Sequence, residues 1–70
     1  MIDVVDDSVE AAEQGATIAQ YCLGYAYDKG EGVDKNPVRA AHWYAKAAEQ
    51  GHMKAQCKLG VMYQIGRGVE

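Results

Sequence analysis

Two cysteines and two histidines are the side chains of this sequence that are best suited to nucleophilic or acid–base chemistry. Cys22 and Cys57 would supply a thiolate, and His42 or His52 would supply the base that activates it. Such a pair works only within hydrogen-bonding reach, and no spacing here forces a histidine onto a cysteine. The four residues also lack the Cys-x-x-Cys and His-x-x-x-His spacings that bring ligands together around zinc. The sequence therefore predicts no catalytic residue and no metal site, and we expect no enzymatic activity.

The glycine pair Gly30-x-Gly32 is rich in glycine like the loops that bind phosphate groups. Phosphate loops follow a β-strand and open a helix, whereas this pair follows a helical pattern. We interpret it as a turn that ends a helix, and we predict no bound cofactor.

The two thiols and the absence of targeting segments bear on the compartment. A disulfide between Cys22 and Cys57 is not excluded, but the simpler interpretation is two small, semi-buried hydrophobic side chains in a reducing compartment. The chain shows no signal-peptide pattern, and no apolar run reaches the roughly 20 residues that span a bilayer. These features favour the cytoplasm and argue against a membrane partner.

The charges are distributed unevenly along the 70 residues, whose net charge is −3. Residues 1–14 hold five acidic residues and no base, while the remainder holds seven bases against five acids. No basic stripe is large enough to neutralise several phosphates, which argues against nucleic acid as a partner. The acidic start is most simply a solvated helix face, and one half of an electrostatic contact is the alternative.

An internal repeat of 36 residues organises the chain. Aligning residues 11–34 with residues 47–70 gives 13 identities in 24 positions without a gap. Repeats of this length are typical of α-solenoids, in which helix hairpins stack to bury a core that none could bury alone. The richness in alanine and the absence of phenylalanine also favour helices over a sheet.

The first helix of the repeat is predicted over residues 16–29, with its equivalent near 52–65. Gly24 and Gly60 occupy the same position in the two copies, although glycine costs about 1 kcal/mol in a helix. We interpret them as places where a neighbouring helix approaches closely. At 100° per residue the predicted buried stripes are Ala16, Ala19, Leu23, Ala26 and Tyr27, and then Ala55, Leu59, Met62 and Tyr63.

The second helix of the repeat is predicted over residues 37–50. Asn36 can cap its free amides and Pro37 suits its first position, while Gly51 ends it. In the preceding loop Val33 is the lone apolar residue and is expected to pack into the core. The predicted apolar side is Ala40, Trp43, Tyr44 and Ala47, and the predicted solvent side is Arg39, His42, Lys46 and Glu49.

The motif Gly30-x-Gly32-Val33, followed by Asn36-x-x-Arg39-Ala40-x-x-Trp43-Tyr44-x-Lys46-Ala47-Ala48-Glu49-Gln50-Gly51, resembles a Sel-one-like repeat, a relative of the tetratricopeptide repeat. So does Ala55-x-x-x-Leu59-Gly60-x-x-Tyr63-x-x-Gly66-x-Gly68-Val69. The resemblance covers residues 11–70. It implies an all-α, right-handed superhelical solenoid of antiparallel helix hairpins and an adaptor role in protein complexes.

The predicted domain organisation is a single solenoid fragment. Residues 2–14 form a degenerate helix of the second type that acts as a polar cap, with Ile2, Val5 and Val9 on its inner side. Residues 16–50 form one full repeat, and residues 52–70 form the first half of the next.

A binding site is predicted on the side of the first helix that points away from Leu23. Tyr21 and Tyr25 lie there, at about 160° from Leu23, and two tyrosines are unusual on a face that meets only water. The family resemblance implies that this side lines the groove where partners dock, which would make both tyrosines contact anchors. The alternative is that the adjacent repeat packs over them. The eight predicted groove residues are Ile18, Tyr21, Tyr25, Asp28, Lys54, Cys57, Val61 and Gln64.

Two functions follow as expectations. In the first, the chain is an interaction module that binds a partner protein or peptide in this groove. In the second, it is a self-associating structural unit, a homodimer or oligomer in which another copy completes the terminal repeat.

Overall fold

The computed structural model describes residues 4–68, with side chains from Val9 onward. Ile2 and Val69 lie outside the described residues. The described chain forms four α-helices and no strand: α1 (Val4–Glu13), α2 (Thr17–Lys29), α3 (Pro37–Glu49) and α4 (Met53–Ile65). Each helix packs on the next one along the chain, in a body of 38 × 25 × 15 Å. The predicted all-α class is confirmed, and the helix bounds differ from the predicted ones by at most two residues within the described range.

The helix ends follow the local chemistry of the sequence. The Asn36 side chain accepts a hydrogen bond from the Arg39 amide at 3.2 Å, and Pro37 opens α3. Gly30 and Gly66 end α2 and α4 with φ of 75° and 68°, a left-handed conformation that a side chain would strain. The repeat therefore recurs in its turns as well as in its helices.

The core is built mainly from α3 and α4. Tyr44 and Ala47 of α3 are fully buried, as is Ala55 of α4, and Met62 is nearly so. Leu23, on the side of α2 that faces this core, is also almost fully buried. Small residues predominate, so the helices lie close together and one large ring fills the space between them.

The close approach expected at the two helical glycines occurs at one of them. A Cβ built on Gly24 would lie 2.7 Å from Cδ1 of Tyr44, so only glycine lets this ring pack against α2. A Cβ built on Gly60 meets nothing within 4 Å. The prediction is confirmed for Gly24, while Gly60 faces open space.

Several predicted burial states differ from the structure. Ala16 is exposed because it precedes the first turn of α2. Tyr63 is 58% exposed because none of the four described helices covers its side of α4. Trp43 is half-buried at the edge of the predicted apolar side, and Val33 is also half-buried. Both cysteines are exposed and free, so the semi-buried interpretation was wrong. The predicted solvent side of α3 is confirmed, with Arg39, His42, Lys46 and Glu49 all exposed.

Candidate protein-binding surface

Tyr21 of α2 lies against the start of α4. Its ring stacks on His52 with a centroid distance of 4.6 Å and an angle of 26° between the planes. On its other side it meets Tyr44 at 5.7 Å in a tilted arrangement. Tyr21 is therefore half-buried between two helices rather than pointing into solvent.

His52 holds this position because it is also the N-cap of α4. Its Nδ1 accepts a hydrogen bond from the Ala55 amide at 3.1 Å, which satisfies one of the free donors of the first turn. The same imidazole thus caps α4 and packs against α2.

Asp28 connects the C-terminal ends of α2 and α4. It is only 7% exposed, and its Oδ1 lies 3.2 Å from Nη2 of Arg67, just beyond α4. Nη2 of Arg67 also donates to the main-chain oxygen of Asp28 at 2.9 Å, and the Tyr44 hydroxyl donates to Oδ2 at 3.4 Å. Burial, together with the negative charge of Asp28, raises the pKa of the Tyr44 hydroxyl well above its ordinary value.

These contacts show that α2 and α4 run side by side in the same direction. Tyr21 meets His52 where both helices begin, and Asp28 meets Arg67 where both end. Tyr25, between them, is half-buried against the core. Two of the four groove residues predicted on α2, Tyr21 and Asp28, therefore contact residues at the two ends of α4. For Tyr21 this packing matches the alternative that the adjacent repeat covers it.

The remaining predicted residues are exposed. Ile18 of α2 is 66% exposed and Val61 of α4 is 53% exposed. Lys54, Cys57 and Gln64 are exposed as well. The structure adds two apolar side chains of α4 that the sequence analysis missed, Ile65 at 65% and Met53 at 76% exposed. The sequence repeat could have indicated that Ile65 is exposed, because the equivalent residue of α2 is the charged and exposed Lys29.

A strip of exposed and half-buried residues runs along α2, and the equivalent strip runs along α4. On α2 the strip holds Ile18, part of Tyr25 and Lys29, and on α4 the positions 36 residues later hold Lys54, Val61 and Ile65. Residues 51–68 contain no acid. We call these six residues the inner strip; it combines apolar side chains with positive charge.

Neither a cluster of metal ligands nor a membrane-spanning helix is found among the described residues. Within residues 4–68, no group of three or more His, Cys, Asp or Glu side chains is placed to hold a metal ion. None of the four described helices is long and apolar enough to cross a membrane.

Comparison with known proteins gives consistent results. The family model described as Sel1 repeat matches residues 17–52 and 54–70. No curated protein sequence matches the chain.

Two solved structures share the fold at high sequence identity. A Sel1 repeat protein from Oxalobacter formigenes is 47% identical with a TM-score of 0.92 over 94% of this chain. A protective antigen present in uropathogenic Escherichia coli strains, described as displaying an SLR fold, is 52% identical with a TM-score of 0.87 over 91% of this chain. The chain spans 27% and 14% of the lengths of these two proteins.

Proposed function

Because the chain belongs to the Sel1 repeat family, whose repeats generally mediate protein–protein interactions, we propose that it binds a segment of a partner protein along the inner strip. The observation that carries the proposal is the exposure of Ile18 and Val61 on two helices that lie side by side. Isolated exposed apolar residues are common, but these two belong to equivalent strips of two helices that run in the same direction, and grouped apolar residues of this kind are typical of interaction sites.

The chemistry of the strip indicates the kind of segment that it accepts. Ile18, Val61 and Ile65 offer apolar contacts, while Lys29 and Lys54 offer positive charge at the margins. A segment that combines apolar side chains with Asp or Glu complements both features. Its binding should weaken as salt concentration rises, because the lysines are exposed and their charges are screened.

The proposed role is that of an adaptor, without a catalytic step. Sel1 repeat proteins are generally non-enzymatic scaffolds, and the strip presents alkyl and ammonium groups rather than an acid–base pair. Cys57 is exposed on α4 beside the strip, and we assign it no role in binding.

Selection of peptides from a random display library on the folded chain tests the proposal. Peptides that bind the wild-type chain should lose affinity for Ile18→Asp and for Val61→Asp. Val38→Asp is the matched control, because Val38 is also 66% exposed but lies on α3. Circular dichroism checks that all three variants fold. Peptides that are equally sensitive to Val38→Asp, or to none of the three, would contradict the proposal.

Self-association remains a second candidate, supported by opposite charges on different helices. Glu10 and Glu13 of α1 are exposed and acidic, while Lys54 of α4 is exposed and basic. A copy that places its α1 on the α4 of another copy would pair these charges. Light scattering over a range of concentrations tests this arrangement, and a strict monomer at high concentration would rule it out.

A further inference from the structure

The two helices that carry the inner strip are joined at both of their ends. At the N-terminal ends the ring of Tyr21 stacks on His52, and at the C-terminal ends Arg67 binds Asp28. Along their lengths α2 and α4 each pack on α3. We call the pair Arg67–Asp28 the C-terminal clasp. The position of α4 relative to α2 therefore depends on α3 and on these contacts at the ends.

The C-terminal clasp lies directly beside the inner strip. Lys29 follows Asp28 in the chain, and Ile65 precedes Arg67 by two residues. Lys29 and Ile65 occupy equivalent positions at the ends of α2 and α4, and both side chains are exposed. Because each lies within two residues of a clasp residue, a shift between Asp28 and Arg67 also shifts the two halves of the strip relative to each other.

The loop that carries Arg67 is fixed to α4 and to α3 by its main chain. The Arg67 amide donates to the Met62 oxygen at 2.9 Å, and Gly68 lies against the main chain of Pro37. Among the hydrogen bonds and ion pairs of residues 9–68, those of the Arg67 guanidinium are the ones that join this loop to α2. Without that side chain, the C-terminal end of α4 is held by α3.

We propose that Arg67 and Asp28 are positioning residues that set the width of the inner strip at its C-terminal end. The consequence for binding rests on the proposed function, whereas the geometry does not. α4 has 13 residues and is about 20 Å long, so a pivot of about 10° around the Tyr21–His52 stack moves its far end by about 3 Å. Apolar groups are in contact within about 4.5 Å, so a shift of this size separates a bound side chain from one half of the strip.

Spin labels at the two ends of the helices measure this geometry without a ligand. The native Cys22 and Cys57 are exposed and free, and each lies in the first half of its helix. A second chain carries Cys22→Ser, Cys57→Ser, Lys29→Cys and Ile65→Cys, which moves the labels to the C-terminal ends. In Arg67→Gln, electron paramagnetic resonance should show a distance that is longer by about 3 Å between the C-terminal labels. The distance between the native cysteines, close to the pivot, should change little.

Peptide affinity tests the consequence for binding, on chains that keep both native cysteines. The probe is a peptide selected on the wild-type chain whose affinity decreases in Val61→Asp. Arg67→Gln should weaken its binding by about threefold to tenfold, because a fraction of the molecules then presents a strip of the wrong width. Arg67→Gln combined with Asp28→Asn should regain stability, since no unpaired charge is buried, yet keep the weak binding and the longer label distance.

Two controls separate positioning from a general loss of stability. Lys46→Gln removes a cation from the exposed side of α3, and Asn36→Ala removes the side-chain cap of α3. Neither variant should change the label distances or the peptide affinity. Circular dichroism checks that every variant is folded under the conditions of measurement. If Arg67→Gln alone does not fold, the double variant with Asp28→Asn takes its place.

An unchanged distance between the C-terminal labels in Arg67→Gln overturns the proposal, whether or not the strip binds peptides. The proposal is also overturned if the distance increases while the affinity stays the same, or if Asn36→Ala reproduces both effects. Failure to select any peptide that responds to Val61→Asp contradicts the proposed function instead, and the label distances alone then decide whether Arg67 sets the spacing.

Discussion

Nη2 of Arg67 lies 3.2 Å from Oδ1 of Asp28, although the two residues are 39 positions apart in the chain. The contact joins the loop after α4 to the last turn of α2, and Tyr44 of α3 completes it with a hydrogen bond to Oδ2. Asp28 therefore holds three parts of the chain together, although it is itself almost excluded from water. A carboxylate in such a place depends on its partners, because burial without them is unfavourable.

Arg67→Gln should lower the free energy of unfolding by about 1–2 kcal/mol, because it leaves the buried Asp28 without a cation. The lower end of the range allows for Arg67, whose side chain is 34% exposed. Asp28→Asn in the same chain should recover part of the loss, since a neutral amide does not need the guanidinium. Urea unfolding of the single variants and the double variant measures the coupling, with Lys54→Gln as an exposed control. Additive effects of the two substitutions would show that the residues are not coupled.

Replacing each of the two helical glycines with alanine should change the free energy of unfolding in opposite directions. Gly24→Ala should destabilise by about 1–3 kcal/mol, because the new methyl group collides with the fully buried Tyr44 ring. Gly60→Ala meets open space and should stabilise by up to about 1 kcal/mol through helix propensity. Thermal and urea unfolding measure both. Equal effects at the two positions would contradict the asymmetry in packing.

The stability that Tyr44 contributes should depend on alkaline pH. Its pKa is higher in the folded chain than in the unfolded one, so the contribution is complete below the ordinary tyrosine pKa of about 10 and is lost as pH rises above it. The wild-type chain should lose stability relative to Tyr44→Phe by up to about 1.4 kcal/mol per pH unit in that range. Urea unfolding of both chains between pH 8 and about 11 measures the difference, which cancels the titration of lysines and other tyrosines. Parallel pH profiles would argue against a buried, protonated hydroxyl beside Asp28.

His52 should contribute through two separable effects. His52→Ala removes both the cap of α4 and the stack on Tyr21, and should cost about 1–2 kcal/mol. His52→Asn restores a good capping side chain without the ring, so it should cost less. Chemical unfolding at neutral pH compares the two variants. A loss for Asn as large as that for Ala would mean that the stack, and not the cap, stabilises this end of the helix.

The sequence by itself determined the helices, their ends and the family. The 36-residue repeat, the Asn36–Pro37 start and the glycine turns act over a few neighbouring residues, so their effect is readable without a partner. The buried side of α3 was also largely predictable, because Ala40, Tyr44 and Ala47 follow the helical period.

Only the tertiary structure decided which sides of α2 and of α4 are covered. Helical spacing places Tyr21 and Cys57 at equivalent positions, yet Tyr21 stacks on His52 while Cys57 is exposed. The same holds for Gly24 beneath Tyr44 and Gly60 in open space. Periodicity describes one helix at a time, whereas burial in a solenoid depends on which helices stand beside it. Of the predicted groove residues of α2, Tyr21 and Asp28 thus contact residues at the ends of α4, whereas their equivalents Cys57 and Gln64 are exposed.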